Sequence, residues 1–299
     1  MRIAYLVFAY KNPRLLKRTI DRLSDAECTF FIHIDRKSDL SQFSEISGAN
    51  IVFSETRIPV YWAEFSGVEA ILILIRQALA SPEPYDYFVL LSGSEYPLRS
   101  REYIRSFLQN NRGSEFISML KMPAPGKPVS RLNTLRFQST KPFRRFATRA
   151  LAKIGLARRD YRKYLRDLDP YSGITWWALT KGACQYICDF VERNPHVAEY
   201  FQNVFAPEET FFHTIIGNSP FRAKVTRNFV YEDWTIPGGH PAMITDDHVA
   251  FFESKDKVCV QDLYSPGELL FARKFAEDDV RLFDRLDQMI DRKEKSAVL

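Results

Sequence analysis

The 299 residues carry 42 Lys and Arg against 37 Asp and Glu, a formal net charge of +5, and 45% of them are hydrophobic. That balance belongs to an ordinary globular protein able to bury a large core, and it excludes a low-complexity, collagen-like or disulfide-stapled chain. No apolar run reaches the length of a bilayer span. The small basic excess comes with no nucleic-acid-binding motif, so no nucleic-acid partner is expected.

The N-terminal MRIAYLVFAY has a short apolar stretch but no small-residue cleavage site, so it reads as a first β-strand rather than a signal peptide. It feeds a helical pattern, PRLLKRTIDRL. FFIHID and NIVFSE read as further strands, FSGVEAILILIRQALAS as a long amphipathic helix, and YDYFVLLSG (85–93) as a strand buried on both faces. This alternation predicts an α/β fold, a mostly parallel Rossmann-like sheet flanked by helices. Ligands of such sheets lie beyond the carboxyl ends of the strands, which groups the segments after LVFA, FIHI and FVLL.

From Lys127 to Arg166 the chain is rich in Lys and Arg with interleaved Phe, Leu and Ile. An anionic membrane surface, a polyanion and plain solvent all suit such a stretch. ITWWALT then predicts an aromatic strand, followed by a helix from Cys184 to Arg193. Cys184 and Cys188 share one helix face and read as core thiols, which points to a reducing, cytoplasmic setting. The last element, DDVRLFDRLDQMIDRKEK, is an amphipathic helix burying Leu282, Phe283, Leu286, Met289 and Ile290. The whole is expected to be one domain: a nucleotide-binding half over about 1–125, a basic insert over 126–170, and an acceptor and catalytic half over 171–299.

One stretch poses a chemical question. In FAPEETFFHTII (205–216), Pro207 suits a first helical turn, and Glu208 and Glu209 fall where the helix dipole favours negative charge. A well-started core helix accounts for the pattern, and so does a helix end holding a general base beside an apolar wall that raises its pKa. Glu209 and His213 have metal-ligand spacing but no local third ligand. There is no Gly-rich phosphate loop, no HExxH and no Gly-x-Ser-x-Gly. After YFVLL, where nucleotide-sugar transferases often place a metal-holding Asp-x-Asp, the chain reads SGSE, and the literal DLD at 167–169 follows a basic stretch instead of a buried strand. Lys or Arg would then neutralise a diphosphate without a metal.

Taken together and in order, LVFAYKNPRLLKR, FFIHIDRKSD, VYWAEFSGVEA, FVLLSGSEYPLRS, SGITWWALTKGA, APEETFFHTII and LLFARKF resemble the core-2/I-branching β-1,6-N-acetylglucosaminyltransferase and peptide O-xylosyltransferase family. EETFFHTII and LLFARKF sit nearest the xylosyltransferase branch. The resemblance implies a GT-A-type fold and metal-independent, inverting transfer from a UDP-sugar (UDP-GlcNAc or UDP-xylose) to a hydroxyl of a glycan, lipid-linked or peptide acceptor. It also implies roles for residues. Glu209 is the base, and Lys274, with Arg273 the nearest second cation, meets the diphosphate. Phe8, Ala9, Tyr10, Asp35, Arg36, Lys37 and Tyr61 line the donor side, while Glu95 and Trp234 meet the acceptor. Tyr10 departs from the family's usual histidine. The expected protein is a bacterial cytoplasmic enzyme, peripheral to the inner membrane face if its acceptor is lipid-linked. The competing reading is a catalytically silent glycan- or polyanion-binding, or peripheral membrane, module on the same fold.

Overall fold

The computed structural model describes residues 1–136, 158–236 and 240–297. Its centre is a seven-stranded sheet in the order β10-β6-β9-β4-β1-β2-β3. These strands are β1 (Ile3–Ala9), β2 (Cys28–Ile34), β3 (Ile51–Phe53), β4 (Tyr87–Leu91), β6 (Glu115–Phe116), β9 (Ala178–Thr180) and β10 (Val225–Thr226). Parallel pairing joins β3, β2, β1 and β4, and β10 to β6, while β9 alone runs antiparallel to its neighbours. The expected largely parallel α/β sheet is therefore present. The near-continuous apolar runs of β1, β2 and β4 are buried on both faces, as parallel strands covered by helices must be.

Helix α1 (Pro13–Leu23) connects β1 to β2, and α2 (Phe65–Leu79) carries the chain from β3 back past β1 to β4. Right-handed crossovers in opposite directions place these helices on opposite faces. The strand order therefore reverses between β1 and β4, where such sheets open a ligand crevice. Gly93 allows the exits of these two strands to touch: a Cβ there would stand 3.1 Å from the Lys11 carbonyl oxygen and 3.3 Å from the Ala9 Cβ.

A second, three-stranded sheet flanks the crevice in the order β11-β14-β5, formed by β5 (Glu95–Pro97), β11 (Val230–Glu232) and β14 (Phe271–Arg273). It shares an apolar cluster with the last helix, Val280–Ala297, whose Leu282, Phe283, Leu286, Met289 and Ile290 are buried as the periodicity required. The helix at Lys181–Arg193 buries Cys184 and Cys188, both free thiols.

Two sequence expectations are corrected. ITWWALT is not one strand: β8 (Tyr171–Gly173) pairs with β7 (Met119–Lys121), β9 begins at Ala178, and Ile174–Trp177 forms the bend between them. The bend separates the two indoles. Trp177 packs on Phe212, and Trp176 turns to the crevice. FAPEETFFHTII is not one helix either. Pro207–Glu209 is a single 3₁₀ turn, the chain breaks at Thr210 (φ −134°, ψ −34°), and an α-helix runs from Phe211 to Gly217. Every residue of that helix is buried, so no outward polar face remains for a longer amphipathic helix to present.

Candidate active site

The carboxyl ends of β1 and β2 gather the expected donor-side residues. The Asp35 N–H donates to the Ala9 carbonyl at 2.8 Å, joining the two strand ends. The buried Asp35 carboxylate accepts from the Lys37 backbone N–H at 2.9 Å and from its ammonium at 2.7 Å. That ammonium also donates to the Val60 carbonyl and lies 4.3 Å from the centre of the Tyr61 ring. The Ser38 hydroxyl donates to the Tyr10 carbonyl at 2.7 Å, leaving the Tyr10 ring 58% exposed. The Arg36 side chain points to solvent, while its N–H donates to Ile58. The Arg57 guanidinium ties this loop to the Ile34, Asp35 and Ser38 carbonyls.

Strand register builds the next part. Arg273 on β14 is the direct partner of Glu95 on β5 and of Glu232 on β11. Its guanidinium donates to both carboxylates at 2.8 Å and lies 4.5 Å from the centre of the Trp176 ring. Trp176 stacks on Phe8 with centroids 5.7 Å apart and donates its indole N–H to Glu232 at 3.2 Å. Ser92 closes the far end, donating from its N–H and its hydroxyl to Glu95. Glu95 is thus 1% exposed and fully engaged, and Arg273 is neutralised by two carboxylates. As the site stands, neither is free to meet a substrate. Lys274, the next residue, makes no side-chain hydrogen bond or ion pair among the described residues and is only half-buried. Trp234, 53% exposed, donates to the other oxygen of Glu232 at 3.1 Å.

Glu209 comes from the Pro207–Glu209 turn. Its carboxylate accepts from the Lys127 ammonium at 2.9 Å and from the Arg131 guanidinium at 2.7 Å. Burial alone would raise its pKa, but these two cations outweigh burial and hold it below the usual carboxylate range. This reverses the expected effect of the apolar wall. The residue pushed upward is Glu208: burial raises its carboxyl to about 8, and its Oε2 is buried without a hydrogen-bond partner among the described residues. Glu208 is therefore not the helix-end charge the sequence suggested. His213 is buried in a neutral state, with burial lowering its pKa to about 4 and Nε2 lying 2.9 Å from the Ile174 carbonyl. It serves the core.

Lys127 links Glu209 to this network: its ammonium also donates to the Gly173 carbonyl at 2.8 Å, three residues before Trp176. Burial, with the carboxylates of Glu209, Asp262 and Glu232, pushes the Tyr264 phenol up to about 12. A cavity of about 500 Å³ lined by Arg2, Arg112, Glu115, Lys181 and Lys224 lies elsewhere, at the amino end of β4, and shares no residue with this crevice.

The turn bearing Glu209 is held by an unusual backbone contact. Ala63 (φ 57°) and Ala206 (φ 47°) both adopt the left-handed conformation, and the Ala206 N–H donates to the Ala63 carbonyl at 3.1 Å. Each such residue costs about 1–2 kcal/mol, so the packing of this turn on α2 must over-determine it.

The sequence profile of the Core-2/I-Branching enzyme family matches residues 3–256. The chain belongs to that family. It is 25% identical to xylosyltransferase 2 of Rattus norvegicus over 244 residues, covering 78% of this chain and 27% of that protein. To xylosyltransferase 1 of Canis lupus familiaris it is 24% identical over 231 residues, covering 74% and 23%. The chain thus spans about a quarter of the length of these relatives. Among solved structures, 4-diphosphocytidyl-2C-methyl-D-erythritol synthase from Anaerococcus prevotii aligns over 68% of this chain and 83% of that one, with a TM-score of 0.31 and 13% identity.

Sequence reasoning grouped Phe8, Ala9, Tyr10, Asp35, Arg36, Lys37 and Tyr61, and the structure brings them to the ends of β1 and β2 with the Arg36 side chain turned out to solvent. It missed Trp176, Glu232 and Ser92, and it did not connect Lys127 and Arg131 with Glu209. Glu232, two residues before Trp234 in VYEDW, carried no signal of its own, because its role depends on strand register. Arg144, Arg145 and Arg149 of the basic stretch lie outside the described residues.

Proposed function

We propose that this family member is an inverting glycosyltransferase that moves a sugar, xylose or N-acetylglucosamine, from its UDP derivative to a hydroxyl of an acceptor. The observation that carries the reading is an ionised, cation-held Glu209, tied through Lys127 to the chain that leads into Trp176 and Arg273, with Lys274, whose ammonium has no ion pair among the described residues, next to Arg273. The acceptor oxygen attacks the anomeric carbon and forms the new C–O bond. The bond from that carbon to the diphosphate breaks, UDP departs with the electron pair on the opposite face, and the hydroxyl proton passes to Glu209. A positioned base contributes on the order of 10²–10⁴ in rate; orientation and neutralisation of the departing diphosphate carry the larger share. Lys274 serves the diphosphate as a point charge.

Arg273 supports the site differently from the role the resemblance implied. It fixes Glu95, Glu232 and Trp176 as a rigid floor. Phe8, Asp35, Lys37 and Tyr61 form the donor pocket. The serines at 92 and 94, in place of acids, support transfer without a metal. The names of the xylosyltransferase relatives favour UDP-xylose as the first donor to try. UDP release from UDP-xylose and UDP-GlcNAc, measured with wild type and Glu209→Gln, tests the reading. Release by neither donor, or equal release by both proteins, removes it.

A further inference from the structure

Trp62 is 79% exposed, the most open large apolar side chain among the described residues. A single exposed apolar residue needs no explanation by itself. Trp62 differs because its presentation is enforced. Tyr61 before it is held by Lys37 and by a 2.9 Å bond from its N–H to the Ser66 hydroxyl. Ala63 after it is the left-handed residue bonded to Ala206. The indole stands edge-on to Phe205, with centroids 5.8 Å apart. The Arg136 guanidinium lies 4.0 Å from the Phe205 ring centre and that of Arg131 5.9 Å, and Arg131 also holds Glu209. The result is an indole open to water, beside a Phe205 ring that carries two guanidiniums, next in chain to Tyr61 and bonded through Ala63 to the turn that carries Glu209.

We infer that Trp62 is a sugar-stacking platform for the acceptor, and that the acceptor is a saccharide rather than a bare peptide. This rests on the glycosyltransferase reading and narrows it. One face of a pyranose is a patch of C–H groups that gains by covering an indole, while its edge carries hydroxyls for Arg131 and Arg136 to bind. A peptide serine offers no such face.

The test follows the Trp62 indole N–H signal by NMR, identified by its loss in Trp62→Ala. Lactose, N-acetyllactosamine, xylobiose and an acidic Ser-Gly peptide are titrated in turn into the UDP-saturated protein. At least one disaccharide should move the signal, bind about tenfold more weakly to Trp62→Ala, and regain most of its affinity in Trp62→Phe. Three results overturn the inference: no disaccharide moves the signal, Trp62→Ala binds them unchanged, or UDP alone accounts for the whole shift and assigns the ring to the donor's base. Failure of the glycosyltransferase reading is separately visible, as absence of UDP binding and of sugar transfer by the wild type.

Discussion

Lys127 reaches Glu209 from 82 residues away in sequence and, with Arg131, reverses the effect of burial on its carboxyl. The proposed base is therefore ionised throughout the neutral range. Because the active form is the deprotonated one, turnover should be flat across neutral pH and fall only as pH drops through a folded pKa below the usual glutamate range. Lys127→Met removes one of the two cations that lower the Glu209 pKa, so the acid limb should move to higher pH. A limb that stays in place when pH–rate profiles of the two proteins are compared would remove Lys127 from control of the base.

The adjacent glutamates should behave oppositely when amidated. Glu209→Gln should fold, bind UDP-sugar and lose on the order of 10²–10⁴ in turnover. Glu208→Gln should keep most of its activity and lose a pH dependence of stability. The folded Glu208 pKa of about 8 lies above its unfolded value. Between the two the folded state holds a proton that the unfolded state has released, so wild-type stability declines as pH rises from about 5 to 8. Denaturant midpoints measured across that window should show a shallower decline in Glu208→Gln.

Lys274 and Arg273 are neighbours with separable roles. Lys274→Ala should weaken UDP-sugar binding by about 1.5–3 kcal/mol, the worth of a charged hydrogen bond, with little effect on melting. Arg273→Ala leaves two buried carboxylates unpaired and should cost about 3–5 kcal/mol of stability. Calorimetry paired with thermal melts separates these outcomes. A Lys274→Ala protein with unaltered donor affinity would take that ammonium out of the diphosphate site.

Turnover should survive EDTA, because serines occupy the positions after β4 where metal-holding acids would stand. Activity lost in EDTA and restored by Mn²⁺ would contradict this.

The sheet and the donor-side cluster were legible because their signals are local. Buried apolar runs mark β1, β2 and β4, and side chains just past such strands fall beside one another whenever the sheet is parallel. The Glu95–Arg273–Glu232 triad was not legible, since it depends on the register of three strands drawn from distant parts of the chain. The electrostatics of the two glutamates were misjudged for a related reason. Phe211 and Phe212 follow in sequence and suggested an apolar wall, while the deciding cations come from Lys127 and Arg131. The bend at Ile174–Trp177 was hidden by residues that all favour strands.

Glu95 and Arg273 are 178 residues apart, and each is buried on the expectation of the other. During synthesis the first half of the sheet can assemble while Arg273 is still unmade, but its Glu95 carboxylate then has only Ser92 to meet it. Closing the crevice floor over an uncompensated charge is unfavourable. The floor therefore sets only when β14 docks between β5 and β11, 178 residues after Glu95 has been made.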